Sequence, residues 1–306
     1  MNENWRSIVG FEHDATGPDR LPAWTARPLY SAGVNLNREK RATIQTRGPH
    51  RAASDTKVLL STYEVEWDFP LTSAMEYLLF ALSCLGDAGR TVTVGSEHTF
   101  VIGRGKDPVR SHIYMDGVDG THYKAKSCLL TDLTFNVDLI QQCRAEATFA
   151  ARELELMGSA HVFGASVPAS GRAATALDSL VTIGATQYPV FGWSVGFQRD
   201  ASAGGLDEDS IASAWDGNLT PDIGGKVVCR CTSPDFDEAL KGQRVDPITA
   251  VIQFLGGSVI TMEFPRCILQ ADSKRVVSTE LYEYALSWAA TQPPDGDAAT
   301  LTLEVA

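Results

Sequence analysis

The chain has 306 residues, 26 Lys plus Arg against 38 Asp plus Glu, a formal net charge of −12 and 44% hydrophobic residues. That length and apolar content support roughly two folded units with real cores and exclude wholesale disorder. The acidity excludes a dedicated duplex-DNA binder, which needs basic surface to displace phosphate counterions. The most apolar run, 77–85, is about half of a membrane span. Met1-Asn2-Glu3-Asn4-Trp5-Arg6 has no apolar stretch of signal-peptide length. Six cysteines are too sparse for a disulfide scaffold, so reduced thiols in a cytoplasmic setting are expected.

In chain order, the first 30 residues have little periodicity and read as an arm. Residues 34–36 can open a strand, followed by a long polar loop over about 38–56. A strand is predicted over 57–67, with Tyr63, Val65 and Trp67 on one face and Thr62, Glu64 and Glu66 on the other. Thr72 or Ser73 can cap a helix in which Met75, Leu78, Leu79 and Leu82 repeat at helical spacing, ending at Gly86. Short strands follow at 91–94 and 99–102, then long ones at 127–138 and 143–151. The stretch 158–186, rich in Ala, Ser and Gly, reads as a linker.

From residue 188 the same order recurs. A strand at 190–198 puts Phe191, Trp193, Val195 and Phe197 on one face, and a long loop covers 199–225. The next strand, 226–231, leads to a short helix over 233–240, with Pro234 in its first turn. Strands at 248–254, 259–264, 276–290 and 300–305 complete the series. We read this order as an internal duplication, anchored by Lys57-Val58 and Lys226-Val227 opening the two strands before the helices. Any β-rich chain with two helices offers some such alignment. The predicted organisation is an arm at 1–30, one copy at 31–157, a linker at 158–186 and a second copy at 187–306. The fold class is mainly β with one short helix per repeat.

Catalytic and metal motifs are weak. Gly192-Trp193-Ser194-Val195-Gly196 fits a nucleophile elbow, but Ser194 sits inside an alternating strand and every histidine precedes it. Cys229 and Cys231 have strand spacing, which suits two small core residues, and no second pair completes a tetrahedral site. His112 and His122 flank a Gly/Asp turn that reads as a hairpin. Asp207-Glu208-Asp209 lacks the ligand pattern of a calcium loop, and Gly103-Arg104-Gly105-Lys106 misses the phosphate-binding spacings. No catalytic set, cofactor or metal is expected.

The charge pattern is more informative. The first long loop carries Arg38, Lys40, Arg41, Arg47 and Arg51 against Glu39 and Asp55; the second carries Asp200, Asp207, Glu208, Asp209, Asp216 and Asp222 against Arg199. Protruding loops of opposite sign can register stacked copies, although two solvated loops account for the composition equally well. Asp132, Thr134, Asn136 and Asp138 share a strand face opposite Leu133, Phe135 and Val137, and Glu146 and Thr148 lie opposite Ala147 and Phe149. Glu283, Ser287, Thr302 and Glu304 repeat this less cleanly. If identical chains closed such sheets into a ring, the acidic side would line a water-filled channel.

Several segments carry a resemblance by their order and spacing: Tyr63-Glu64-Val65-Glu66-Trp67 with Met75-Glu76-Tyr77-Leu78-Leu79; Thr99-Phe100-Val101-Ile102 leading to Ile113-Tyr114-Met115-Asp116-Gly117; Leu133-Thr134-Phe135; Trp193-Ser194-Val195-Gly196-Phe197; Met262-Glu263-Phe264-Pro265; and Tyr284-Ala285-Leu286-Ser287-Trp288. Over nearly its whole length the chain resembles the major tail tube proteins of long-tailed bacteriophages, in their duplicated form. The resemblance implies two tandem tail-tube β-sandwich domains whose long strands join the inner β-barrel of a ring. It implies a trimer with pseudo-sixfold symmetry, with a hexamer as the alternative.

Stacked rings would form a tube in the virion tail, assembled in the host cytoplasm. Its partners would be itself and the tape-measure, terminator and tip proteins, with DNA passing through and no membrane binding. Glu64, Glu66, Asp132, Asn136, Asp138, Glu146, Glu283 and Glu304 would face a phosphate-repelling lumen. The basic residues of 38–51 would meet the acidic ones of 200–216 between rings. Two other readings stand beside it: a soluble β-sandwich tail-tip or accessory binding protein, and a serine hydrolase using Ser194.

Overall fold

The computed structural model describes residues 7–13, 24–25, 34–47, 53–71, 76–85, 92–94, 97–102, 109–116, 120–138, 142–159, 173–206, 212–217, 221–232, 234–241, 244–279, 281–294 and 296–305. The first half consists of β1 (Ser7–His13), β2 (Trp24–Thr25), β3 (Val34–Arg47), β4 (Ala53–Pro70), α1 (Glu76–Leu85), β5 (Val92–Val94), β6 (Glu97–Ile102), β7 (Ser111–Asp116), β8 (His122–Asp138), β9 (Arg144–Ala151) and β10 (Glu153–Met157). The second consists of β11 (Ser179–Ile183), β12 (Thr186–Tyr188), β13 (Val190–Gln198), β14 (Ala201–Leu206), β15 (Ala212–Gly217), β16 (Asp222–Cys231), β17 (Arg244–Gln253), β18 (Val259–Ser278), β19 (Leu281–Ala290) and β20 (Ala299–Glu304). Among the described residues 18 strands form one antiparallel network, and β14 and β15 form a separate hairpin.

One pairing scheme runs twice. In the first half β2, β1, β7, the start of β8 and β10 lie side by side. The end of β8 continues through β9 and β4 to β3. In the second half β12, β11, β17, the start of β18 and β20 repeat the first series. The end of β18 continues through β19 and β16 to β13. The halves join where β8 pairs β13 and where β20 pairs β6. A strand serving two series must turn between them. In β8 that point is Ser127, whose φ of 48° is a left-handed conformation costly for a residue with a Cβ. His112 Nδ1 accepts its N–H at 3.2 Å.

The core follows from period-two alternation. Val65, Trp67 and Phe69, Leu133, Phe135 and Val137, and Trp193, Val195 and Phe197 are all buried. The start of β18 folds over this layer, so that Phe264 meets Trp288 at a ring-centroid distance of 4.8 Å and Phe197 at 6.2 Å. Leu78, Leu79, Phe80, Ala81, Leu82, Cys84 and Leu85 are buried on all sides of α1, as expected of a core helix rather than a surface one. Phe80 stacks on Phe149 and tilts against Trp67.

Several expectations need correction. Much of the polar segments 38–56 and 199–225 is strand rather than loop (38–47, 53–56, 201–206, 212–217 and 222–225): β3 pairs β4 from Val34↔Trp67 to Arg47↔Ala53, and β14 pairs β15. Their backbone groups are satisfied by the ladder, so they need no apolar face to be strands. The second helix does not form. Over 234–241 the bonds Asp237 N–H to Pro234 O, Ala239 N–H to Phe236 O and Lys241 N–H to Glu238 O give turns and a 3-10 helix, Ala239–Lys241. Asp237 is held outward by Lys274 Nζ at 2.6 Å and the Tyr284 hydroxyl at 2.6 Å, and the segment is too short to repay α-helix nucleation. One α-helix therefore stands among the described residues, not one per repeat. The strand expected over 276–290 is broken after Ser278, and the piece before the break is the end of β18. Ser7–His13 of the expected arm pairs β7, and Ser179–Ile183 of the expected linker pairs β17.

All six cysteines are buried thiols outside any disulfide. Burial pushes the thiols of Cys84, Cys143, Cys229 and Cys267 up to about 12, and the thiolate is the reactive form. The native protein should therefore titrate almost no thiol with an aromatic disulfide reagent at pH 8, and all six in denaturant. Rapid labelling of the native chain would contradict this burial.

Candidate functional site

The two repeats share one continuous run of eight strands, β3–β4–β9–β8–β13–β16–β19–β18, ending on the last part of β18. One face is the core. The other carries polar side chains that fall into rows because neighbouring strands pair in register. Glu66, Thr148, Asp132, Gln198 and Asp222 form one row. Asp68, Glu146, Thr134, Gly196 and Gly224 form the next. A third, Arg144, Asn136, Ser194, Lys226, Ser287 and Gln270, contains no carboxylate. Strands about 4.8 Å apart make each row a crosswise band of the sheet.

Cross-strand bonds hold these side chains in place. Arg144 grips Asp68 through Nε at 2.8 Å and Nη2 at 2.5 Å, and Arg230 grips Glu283 through Nε at 2.9 Å. Gln198 donates to Asp132 at 2.8 Å directly across the joint between the repeats, and Asn136 donates to Glu146 at 3.4 Å. Such half-exposed pairs are worth about 0–1 kcal/mol each, so they order the face more than they stabilise it.

Charge on this face is uneven. The first repeat supplies Glu64, Glu66, Asp68, Asp132, Asp138 and Glu146 against Arg144; the second supplies Asp222, Asp272 and Glu283 against Lys226, Arg230 and Arg275. Sequence alternation grouped Glu64, Glu66, Asp132, Asn136, Asp138, Glu146 and Glu283, and the pairing places all seven on this face. Glu304 is elsewhere, at the end of β20 between Val259 and Glu97. Of the expected inter-ring residues, Arg38, Lys40, Arg41 and Arg47 lie on β3 and Asp216 on β15, while Asp200 is exposed between β13 and β14. Arg51, Asp207, Glu208 and Asp209, like Gly103-Arg104-Gly105-Lys106, fall outside the described residues.

A groove of about 380 Å³ opens at the joint, lined by Asn136, Asp138, Arg144, Glu146, Ser194 and Lys226 among others. Its geometry differs from that of a nucleophile elbow. Ser194 stands mid-strand between Asn136 and Lys226, and Gln198 leads through Arg199 and Asp200 into another strand rather than a helix. Lys226 is exposed, whereas a lysine recruited as a base is drawn out of water. No group of three or more His, Cys, Asp or Glu able to hold a metal occurs among the described residues.

Sequence reading missed Arg199, taken there as a loop charge. It is buried, and its guanidinium donates to Leu130 O at 2.9 Å, Cys84 O at 3.3 Å and Leu85 O. The last two carbonyls lie at the end of α1, which has no basic residue of its own in its last turn. Burial lowers this guanidinium to about 10, so it stays charged at neutral pH. A residue of the second repeat thus caps the helix of the first. The one available signal is a lone arginine directly after the alternating strand, ahead of a run of acids.

The fold is mainly β, antiparallel throughout among the described residues, with a polar sheet face that spans two repeats. Comparison with known proteins adds no family: no family model matches the chain, and no curated protein matches it significantly. No helix among the described residues is long and apolar enough to cross a membrane.

Proposed function

We propose that this chain is a structural virion protein, a duplicated tail tube subunit that assembles into stacked rings and forms the channel for genome passage into the host. Each repeat is read as a tail-tube domain, and three chains supply the six units of a pseudo-sixfold ring, with a hexamer of chains as the alternative. Tape-measure, terminator and tip proteins would be its tail partners.

One observation carries this reading: the eight-strand run has an apolar core face and a polar face, acidic in the first repeat and balanced in the second, and both pass without interruption from one repeat to the next. A sheet that already continues laterally across two copies of a unit can continue across more. Closed on itself, it would present its carboxylates to a wet bore, where like charge keeps phosphate backbones from sticking. Sedimentation of the concentrated protein tests this: a species of three chain masses that grows into longer polymers is expected, and a monomer at every concentration overturns it.

A further inference from the structure

The joint between the repeats shows what a covered strand edge looks like in this protein. Along the end of β8, Leu133, Phe135 and Val137 are at most 3% exposed, beside Trp193, Val195 and Phe197 of β13. The end of β18 occupies the same place in the second repeat, next to β19 as β8 is next to β9. Among the described residues no strand lies on its outer side. There Val276 is 63% and Val277 40% exposed, and Leu240, on the 3-10 helix that packs against β18, is 46% exposed. At the opposite end of the run, β3 pairs only β4 among the described residues, where its counterpart β13 pairs both β16 and β8. Open edges with exposed β-branched side chains invite strand addition.

The repeat also supplies a register. The first pairs of the equivalent strands, Val34↔Trp67 and Val190↔Cys229, set the correspondence between the halves, which puts Lys226 level with Glu64 and not with Lys57 as the Lys-Val anchor in the sequence predicts. Through β4 and β16, Ser194 then corresponds to Asn37 and Gly196 to Glu39. Through β9 and β19, Asn136 corresponds to Ser278 and Thr134 to Arg275. Carrying Asn136↔Ser194 and Thr134↔Gly196 across sets Ser278 opposite Asn37 and Arg275 opposite Glu39 of another copy. The second pair brings together residues of opposite charge.

We infer that the outer edge of β18 from Ser273 to Ser278, with Leu240 beside it, is the docking surface for β3 of a second copy of this chain, antiparallel and in the register already used between β8 and β13. The contact is head-to-tail, each copy offering β18 to one neighbour and β3 to the other, so it either closes a ring or propagates. This assignment rests on the assembly reading above and names its edges.

Disulfide trapping tests it, since the native thiols are buried and stay silent. Ser278→Cys combined with Asn37→Cys should give covalent multimers on mild oxidation of the full chain, while Ser278→Cys with Thr46→Cys, well out of register, should not. Val277→Lys should block assembly while leaving the melting temperature of the chain unchanged. Assemblies that form but cross-link only in the out-of-register pair, or that survive Val277→Lys, overturn the docking surface and leave the ring reading standing. In-register cross-links in open filaments uphold the docking surface and overturn the ring. A chain that stays monomeric in both cysteine pairs and in the parent overturns both.

Discussion

Replacing Arg199 with alanine should lower the stability of the whole chain by about 3 kcal/mol or more, because three buried carbonyls lose a charged donor at once. At the usual scaling for a chain of this length this is a fall of roughly 5 °C in melting temperature. The guanidinium reaches Cys84 and Leu85 on α1 and Leu130 on β8 from a single point beyond β13, so its loss loosens the helix and the joint between repeats together. Arg199→Lys should recover only part of the loss, since one ammonium cannot fork across carbonyls on two elements. Amide exchange should report where the damage falls, with faster exchange at the end of α1 and along β13. A variant that melts with the parent would show that the clamp contributes nothing.

An effect of similar size is expected at Gly225. A Cβ there would overlap the Ser194 carbonyl oxygen of the paired strand and lie 2.9 Å from Cε2 and Cζ2 of the Trp288 ring. The first obstacle is backbone at the centre of β13, and the second is a buried indole. Gly225→Ala should therefore cost about 3 kcal/mol, and Gly225→Val should prevent stable folding, because overpacking here also breaks the β13–β16 register. Gly158, where an added Cβ meets nothing within 4 Å, provides the control. Thermal melts followed by tryptophan fluorescence would separate the two, and a Gly225→Ala chain as stable as Gly158→Ala would contradict the packing described.

The sequence made the core-bearing strands legible because burial on one face writes a period of two. The alternations at 127–138 and 190–198, and the shorter ones near 226 and 248, needed no knowledge of partners. The polar face was legible for the same reason, as the reverse side of the same alternation. Where a strand's sequence does not alternate apolar with polar residues, that signal vanishes. β3 is rich in Asn, Arg, Glu and Lys, and β14 and β15 in Ala, Ser and Gly, so their hairpins looked like loops.

The second helix failed for a different reason. Its few apolar residues fitted a helical turn, but Asp237 is committed to Lys274 and Tyr284, far along the chain. The same distance hid the joint itself. Gln198 meets Asp132 across many intervening residues, and nothing local records that pairing. Glu304 shows the converse limit: a residue with the right alternation lies on another part of the sheet because its strand pairs β18 at the opposite end.

The central claim is that copies of this chain enclose a bore lined by the polar face of the eight-strand run. Class averages of concentrated protein by electron cryomicroscopy test it most directly. The account predicts hollow rings or tubes of three chains per layer, with Asp132 and Glu146 on the inner wall. Solid particles, or rings with those two residues on the outside, would contradict it.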